Sequence, residues 1–103
     1  MDDATQHIVT LYTAPDGQEL ESMSFHSGGI ATPSAGERYR FRKTRGKGVN
    51  KEVVSYVEGV VRQREVLLSS QRHRRRIFVD LYVTVEEVEG NAKETLERIR
   101  EEQ

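Results

Sequence analysis

The sequence predicts a mainly β domain, at the margin of α+β: a small, strongly curved antiparallel sheet or barrel of about five strands with one C-terminal α-helix. Three observations carry this reading. Residues 77–85 set Ile77, Val79, Leu81, Val83 and Val85 against Phe78, Asp80, Tyr82 and Thr84, the period-2 pattern of a half-buried strand. Residues 37–43 repeat the alternation, with Tyr39 and Phe41 on one face and Arg38, Arg40 and Arg42 on the other. The C-terminal segment changes to helical spacing, with Ala92, Leu96 and Ile99 at i, i+4 and i+7.

In chain order, the first strand is expected near 7–14, where His-Ile-Val-Thr-Leu-Tyr-Thr-Ala is rich in β-branched and aromatic residues. Pro15-Asp16-Gly17 supplies a turn, and a strand near 18–25 returns as the hairpin partner. Residues 27–36 are loop chemistry, and a strand with one wet, basic face follows near 37–43. After the basic, glycine-bearing loop 44–51, a strand near 53–68 carries Val53, Val57 and Val61 on one face and Val54, Tyr56 and Val60 on the other. Apolar residues on both faces predict burial on both. Gly59 in its middle predicts a bulge or bend of the kind that curls a small sheet. A polar connection leads to the strand near 76–88, and a helix is expected near 92–102 with Asn91 as its N-cap and Glu94 three residues on. About three turns of helix are marginal alone, so it should dock, and the face bearing Phe78 and Tyr82 is the expected place. All connections are short enough for hairpins, and no crossover helix separates the last three strands, so the neighbours are expected to be antiparallel.

A chain of 103 residues reads as a single domain spanning 1–103. Its core is lean, at 35% hydrophobic residues against the usual 45–50%. With no cysteine, disulfides, thiolate metal sites, iron–sulfur clusters and cysteine nucleophiles are excluded. The N-terminal segment has no Lys or Arg before Arg38 and no apolar run of membrane-span length, so a cytoplasmic location is expected and a membrane partner is not. His7, His26 and His73 stand far apart without metal-ligand spacing, and none of the seven serines lies in a Gly-x-Ser-x-Gly elbow. Arg45-Gly46-Lys47-Gly48 places its lysine ahead of the last glycine and so departs from the phosphate-loop order. Ser27-Gly28-Gly29 reads as a turn, with a backbone anion nest as the alternative. Asp80 is a lone carboxylate without a base partner. No catalytic, metal or cofactor residue is assigned, and a non-enzymatic binding module is expected.

The net charge of −1 conceals a segregation: residues 1–36 carry −5, residues 37–76 carry +9 and residues 77–103 carry −5. Local potential, not net charge, steers an anionic partner. Twelve of the sixteen bases are arginine, which suits bidentate contacts to phosphate or carboxylate. The expected polyanion-binding residues are Arg38, Arg40, Arg42, Arg45, Lys47, Arg62, Arg64, Arg72, Arg74 and Arg76, with nucleic acid the foremost partner. Alternate residues on a strand repeat every ~6.6 Å, close to the phosphate spacing of an extended nucleic acid strand. Tyr56, Phe78 and Tyr82 are the candidate stacking platforms. The alternative is a self-associating homodimer or protein-interaction adaptor, in which the basic middle meets acidic flanks.

The order Ser27-Gly28-Gly29-Ile30, Gly36-Glu37-x-Tyr39-x-Phe41 and Val57-Glu58-Gly59-Val60-Val61-Arg62 is similar to the strand order of PilZ-type barrels. Those barrels grip a cyclic dinucleotide through an Arg-x-x-x-Arg ahead of the first strand and an Asp or Asn two residues before the loop serine. Here no Arg precedes position 38 and Phe25 holds the acidic or amide position, so the resemblance implies no such ligand.

Overall fold

The computed structural model describes residues 4–26, 32–72 and 74–103. Five strands and a helix follow one another as β1 (Ala4–Thr13), β2 (Glu19–Phe25), β3 (Arg38–Arg45), β4 (Glu52–Gln71), β5 (Arg74–Gly90) and α1 (Asn91–Glu101), with one 3-10 turn at Gly48–Asn50. The strands form a single sheet in the order β2-β1-β5-β4-β3, curled into a half-barrel. The element types and order match the sequence expectation. The strand that begins near 53 runs three residues beyond Leu68, and β1 begins three residues before His7.

The alternation along β5 becomes the middle of the core. Val79, Leu81 and Val83 are buried, packing with Val9 and Leu11 of β1, Leu20 of β2, Phe41 of β3 and Val57 and Val61 of β4. Each such side chain contributes about 1.5–3 kcal/mol through burial. On β3, Phe41 is buried and Tyr39 half-buried while Arg38, Arg40 and Arg42 stay exposed. The chemistry of β3 alone dictates that choice of face.

The all-antiparallel expectation fails at one pair: β1 runs parallel to β5, with Ile8 beside Phe78, Thr10 beside Asp80 and Tyr12 beside Tyr82. The β1–β2 hairpin therefore docks as a unit against the free side of β5. In this orientation β2 ends and β3 begins at the same end of the sheet, and the curl brings those two edge strands together. Lys43 Nζ of β3 lies 3.4 Å from Glu21 Oε1 of β2, an ion pair across the mouth of the half-barrel.

Two expectations for the helix are corrected. It does not lie on the face of Phe78 and Tyr82; Ala92, Leu96 and Ile99 are buried in the core cluster instead, with contacts to β4, β5 and β2. The helix packs on the face of the curled sheet that carries the core side chains Val57, Val61 and Val83. Nor is Asn91 the N-cap. Gly90 holds that position with φ +68°, and a Cβ there would lie 2.1 Å from the Val54 carbonyl oxygen. The capping acceptor comes from β4, where the buried Ser55 Oγ accepts the Ala92 N–H at 3.0 Å.

Gly59 fulfils its predicted role by close approach. The register shifts between Glu58 and Gly59, and a Cβ on Gly59 would meet the Thr84 carbonyl oxygen at 2.1 Å. Burial on both faces of β4 does not hold. Val57 and Val61 are buried, Val54, Tyr56 and Val60 are half-buried, and Val53 is exposed. Among the described residues no helix is long and apolar enough to cross a membrane.

Candidate functional site

The site is built by a mismatch of strand lengths. β4 has 20 residues and β3 has eight. Over its first half β4 is flanked on both sides, by β3 (Arg45 beside Glu52 through Arg38 beside Val60) and by β5. The last β3-side contacts are Val61 N–H to Glu37 O at 2.9 Å and Gly36 N–H to Val61 O at 2.7 Å. From Arg62 to Gln71, β4 pairs only with β5 among the described residues, and all ten residues are exposed. β5 itself remains covered by β1 as far as Arg74. Among the described residues the outer edge of β4 therefore presents about five two-residue repeats of the pleat with unpaired alternate N–H and C=O groups, a template for another strand.

Edges of soluble proteins are usually blunted by charge, proline or a bulge. Here the bulge at Arg62 and the charges of Arg64 and Glu65 sit at one end. Val66, Leu67 and Leu68 follow with 57, 63 and 63% exposure, then Ser69, Ser70 and Gln71. Leu67 lies beside Phe78 on the convex face, while Val66 and Leu68 lie beside Val79 and Ile77 on the face that continues the core. The sequence pattern puts residues up to 68 in a strand, Arg62 and Arg64 among the anion contacts and the residues after 68 in a polar connection; it does not single out an open edge. The signal available is the mismatch between the long strand expected over 53–68 and the short one expected over 37–43, which becomes an open edge once the two pair.

The ten nominated bases fall into groups at different places. Arg38 pairs with Glu86 and lies 3.6 Å from Glu58. Arg40 Nε contacts Glu58 Oε1 at 3.3 Å, and Arg45 pairs with Glu52 at 3.2 Å. These three answer the protein's own acids, as the antiparallel register dictates by placing Arg40 opposite Glu58 and Arg45 opposite Glu52. Glu58, holding the Tyr56 hydroxyl and both guanidiniums, has its pKa lowered by the Tyr56 hydrogen bond first and the arginines second. Arg62 Nε donates to Thr84 Oγ1 at 2.9 Å, and Arg64 donates to the Thr32 carbonyl at 3.3 Å. Arg42 and Lys47 are exposed at the β3 end, and no ion pair engages them among the described residues.

Arg72, Arg74 and Arg76 gather at the opposite end, around the tip of the β4–β5 hairpin. Arg74 stands opposite Gln71, and Arg76 between Gln6 of β1 and Ser69 of β4. A cleft of about 170 Å³ is lined by Gln6, His26, Arg74, Arg75 and Arg76. Next to this basic tip is an acidic row: Glu65 stands directly opposite Asp80 on the convex face. Burial first and Glu65 second raise the Asp80 pKa. Of the nominated platforms, Tyr82 is stacked on Tyr12 with centroids 5.0 Å apart, the Tyr56 hydroxyl donates to Glu58 at 3.0 Å, and Phe78 is half-buried. Residues 27–29, the alternative anion nest, and His73 lie outside the described residues.

No family model matches the chain, and comparison with curated proteins and with solved structures finds no match. Among the described residues no group of three His, Asp or Glu side chains converges.

Proposed function

We propose that this chain is a non-catalytic protein-interaction module that accepts a β-strand along the open edge of β4. The observation that carries the reading is the ten-residue edge, unpaired among the described residues, that exposes Val66, Leu67 and Leu68 in succession. Strand addition uses main-chain hydrogen bonds for affinity and alternate side chains for choice of partner. Neutralisation of Arg38, Arg40 and Arg45 by Glu86, Glu58 and Glu52 removes three bases of the polyanion strip and shifts the balance from nucleic acid to protein. The test is selection of ten-residue peptides displayed against the immobilised protein, followed by amide NMR. Enriched peptides of alternating apolar pattern should move the Gln63–Gln71 amides and leave the Arg38–Arg45 amides in place. Peptides that perturb only other elements would overturn the reading.

A second reading rests on Arg72, Arg74 and Arg76, for which no carboxylate partner is found among the described residues; Arg74 and Arg76 line the cleft with Gln6 and His26. These bases would track a phosphate backbone, with contributions from Arg42, Arg62, Arg64 and Lys47. With about six phosphate contacts, oligonucleotide affinity would fall roughly a thousandfold between 50 and 200 mM salt. Absence of oligonucleotide binding at 50 mM salt removes this reading.

A further inference from the structure

The strand that fits the open edge can be read from the edge itself. We propose that its occupant is the same segment of a second copy, Gln63–Gln71 of each chain pairing antiparallel about a two-fold axis at Leu67. This inference rests on the strand-accepting reading above and names its partner.

A two-fold axis normal to the sheet keeps each face of β4 on its own side, so each residue meets one of equal parity. Centred at Leu67, the pairing sets Leu67 beside the partner's Leu67 and Val66 beside the partner's Leu68. All three exposed apolar side chains then find apolar neighbours on both faces. Moving the axis to Val66 would set Arg64 against Leu68 and Glu65 against Leu67. Moving it to Leu68 would set Val66 against Ser70 and Leu67 against Ser69. In the Leu67 register Glu65 faces the partner's Ser69, Arg64 the partner's Ser70 and Gln63 the partner's Gln71, so no like charges stand opposite.

Charge complementarity extends one strand further. Within one copy, Glu65 and Asp80 face each other, and Arg76 stands beside Ser69. The two-fold joins these rows into Asp80, Glu65, the partner's Ser69 and the partner's Arg76. Glu65 and the partner's Arg76 are then two strands apart, about 10 Å between Cα atoms, within reach of two long side chains. Symmetry supplies the row twice. On the other face Arg64 shares a row with the partner's Ser70 and Arg75, and its guanidinium is already drawn to the Thr32 carbonyl. The acidic pair Glu65 and Asp80 and the tip residue Arg76, which form no ion pair with each other within one copy, are thus brought together between copies.

The absence of cysteine makes single-cysteine cross-linking unambiguous. Opposed residues in an antiparallel pair have Cα atoms 4.5–5.5 Å apart, within disulfide reach. Leu67→Cys should therefore give a covalent dimer on mild oxidation. Ser70→Cys should not, because the partner's position 70 lies about 20 Å away. Light scattering should give twice 11.8 kDa for the native chain. Glu65→Arg should raise the dimer dissociation constant about tenfold, and adding Arg76→Glu should restore it. Both cysteine sites are exposed, and a circular dichroism melt confirms that each variant folds. Equal cross-linking at 67 and 70 would overturn the register. A monomer at all concentrations whose Gln63–Gln71 amides respond to selected peptides would overturn the second copy as occupant and leave the module standing. A monomer whose edge responds to no peptide would overturn both.

Discussion

Ser55→Ala should destabilise the protein by about 2 kcal/mol, whereas Asn91→Ala should change stability by less than about 0.5 kcal/mol. Local capping rules would reverse that order, since Asn91 followed three residues later by Glu94 is a good N-terminal signature. In the structure Ser55 and Ala92 are both fully buried, and the Ser55 hydroxyl accepts the Ala92 N–H at 3.0 Å. Removing a cap costs about 0.5–2 kcal/mol. Leaving a buried N–H unpaired costs about 1–3 kcal/mol. The two figures describe the same lost bond and overlap at about 1–2 kcal/mol; full burial of both groups sets the expected value at the upper end. Asn91 is exposed, and its loss exposes nothing new. For a domain of about this size 2 kcal/mol lowers Tm by roughly 8–16 °C. Urea titration of both variants, monitored by far-UV circular dichroism, reads the difference. A Ser55→Ala loss below 0.5 kcal/mol, or an Asn91→Ala loss above 1 kcal/mol, would refute tertiary capping of α1.

Gly59→Ala should unfold the chain or cost more than about 3 kcal/mol by the same titration, because its Cβ would collide with the Thr84 backbone 2.1 Å away. Asp80→Asn should stabilise the protein at pH 7 and have no effect near pH 3. A folded pKa above the unfolded one means that stability falls as pH rises from the unfolded value to the folded one and stays lowered above it. Thermal melts of both proteins from pH 3 to pH 8 check the crossover. Glu58→Gln should behave oppositely: its folded pKa is lowered, so the loss is present at pH 7 and disappears as pH falls through that value. If nucleic acid shares the Arg74 and Arg76 surface, a short oligonucleotide should dissociate the proposed dimer at low salt, which light scattering would show; an unchanged mass with bound oligonucleotide would place the nucleic acid elsewhere.

What was legible in the sequence was what one element decides for itself. The alternation of β5 named Val79, Leu81 and Val83 as core, and the spacing of α1 named Ala92, Leu96 and Ile99, because a side chain's face follows from backbone period alone. Arg38, Arg40 and Arg42 were likewise placed correctly on the wet face of β3. The partners of those faces were not legible. Whether an arginine is open to a ligand depends on the strand register that sets Arg40 against Glu58, and whether α1 caps itself depends on a serine 37 positions away. The parallel β1–β5 pair joins residues about 70 positions apart, such as Ala4 and Arg74, and no local pattern specifies it. The open edge of β4 arises from the difference in length between two strands, which no window along one of them contains.

Hydrogen–deuterium exchange of the Arg62–Gln71 segment across a dilution series tests the central claim most directly. Half of its amides bond to β5 in any state, so the informative ones are those on the outer edge. Protection of these amides at high concentration, lost on dilution and abolished by Leu67→Lys while the Glu52–Val60 segment stays protected, is the predicted result. Rapid exchange of the outer amides at every concentration, unaltered by Leu67→Lys and by any selected peptide, would contradict the account.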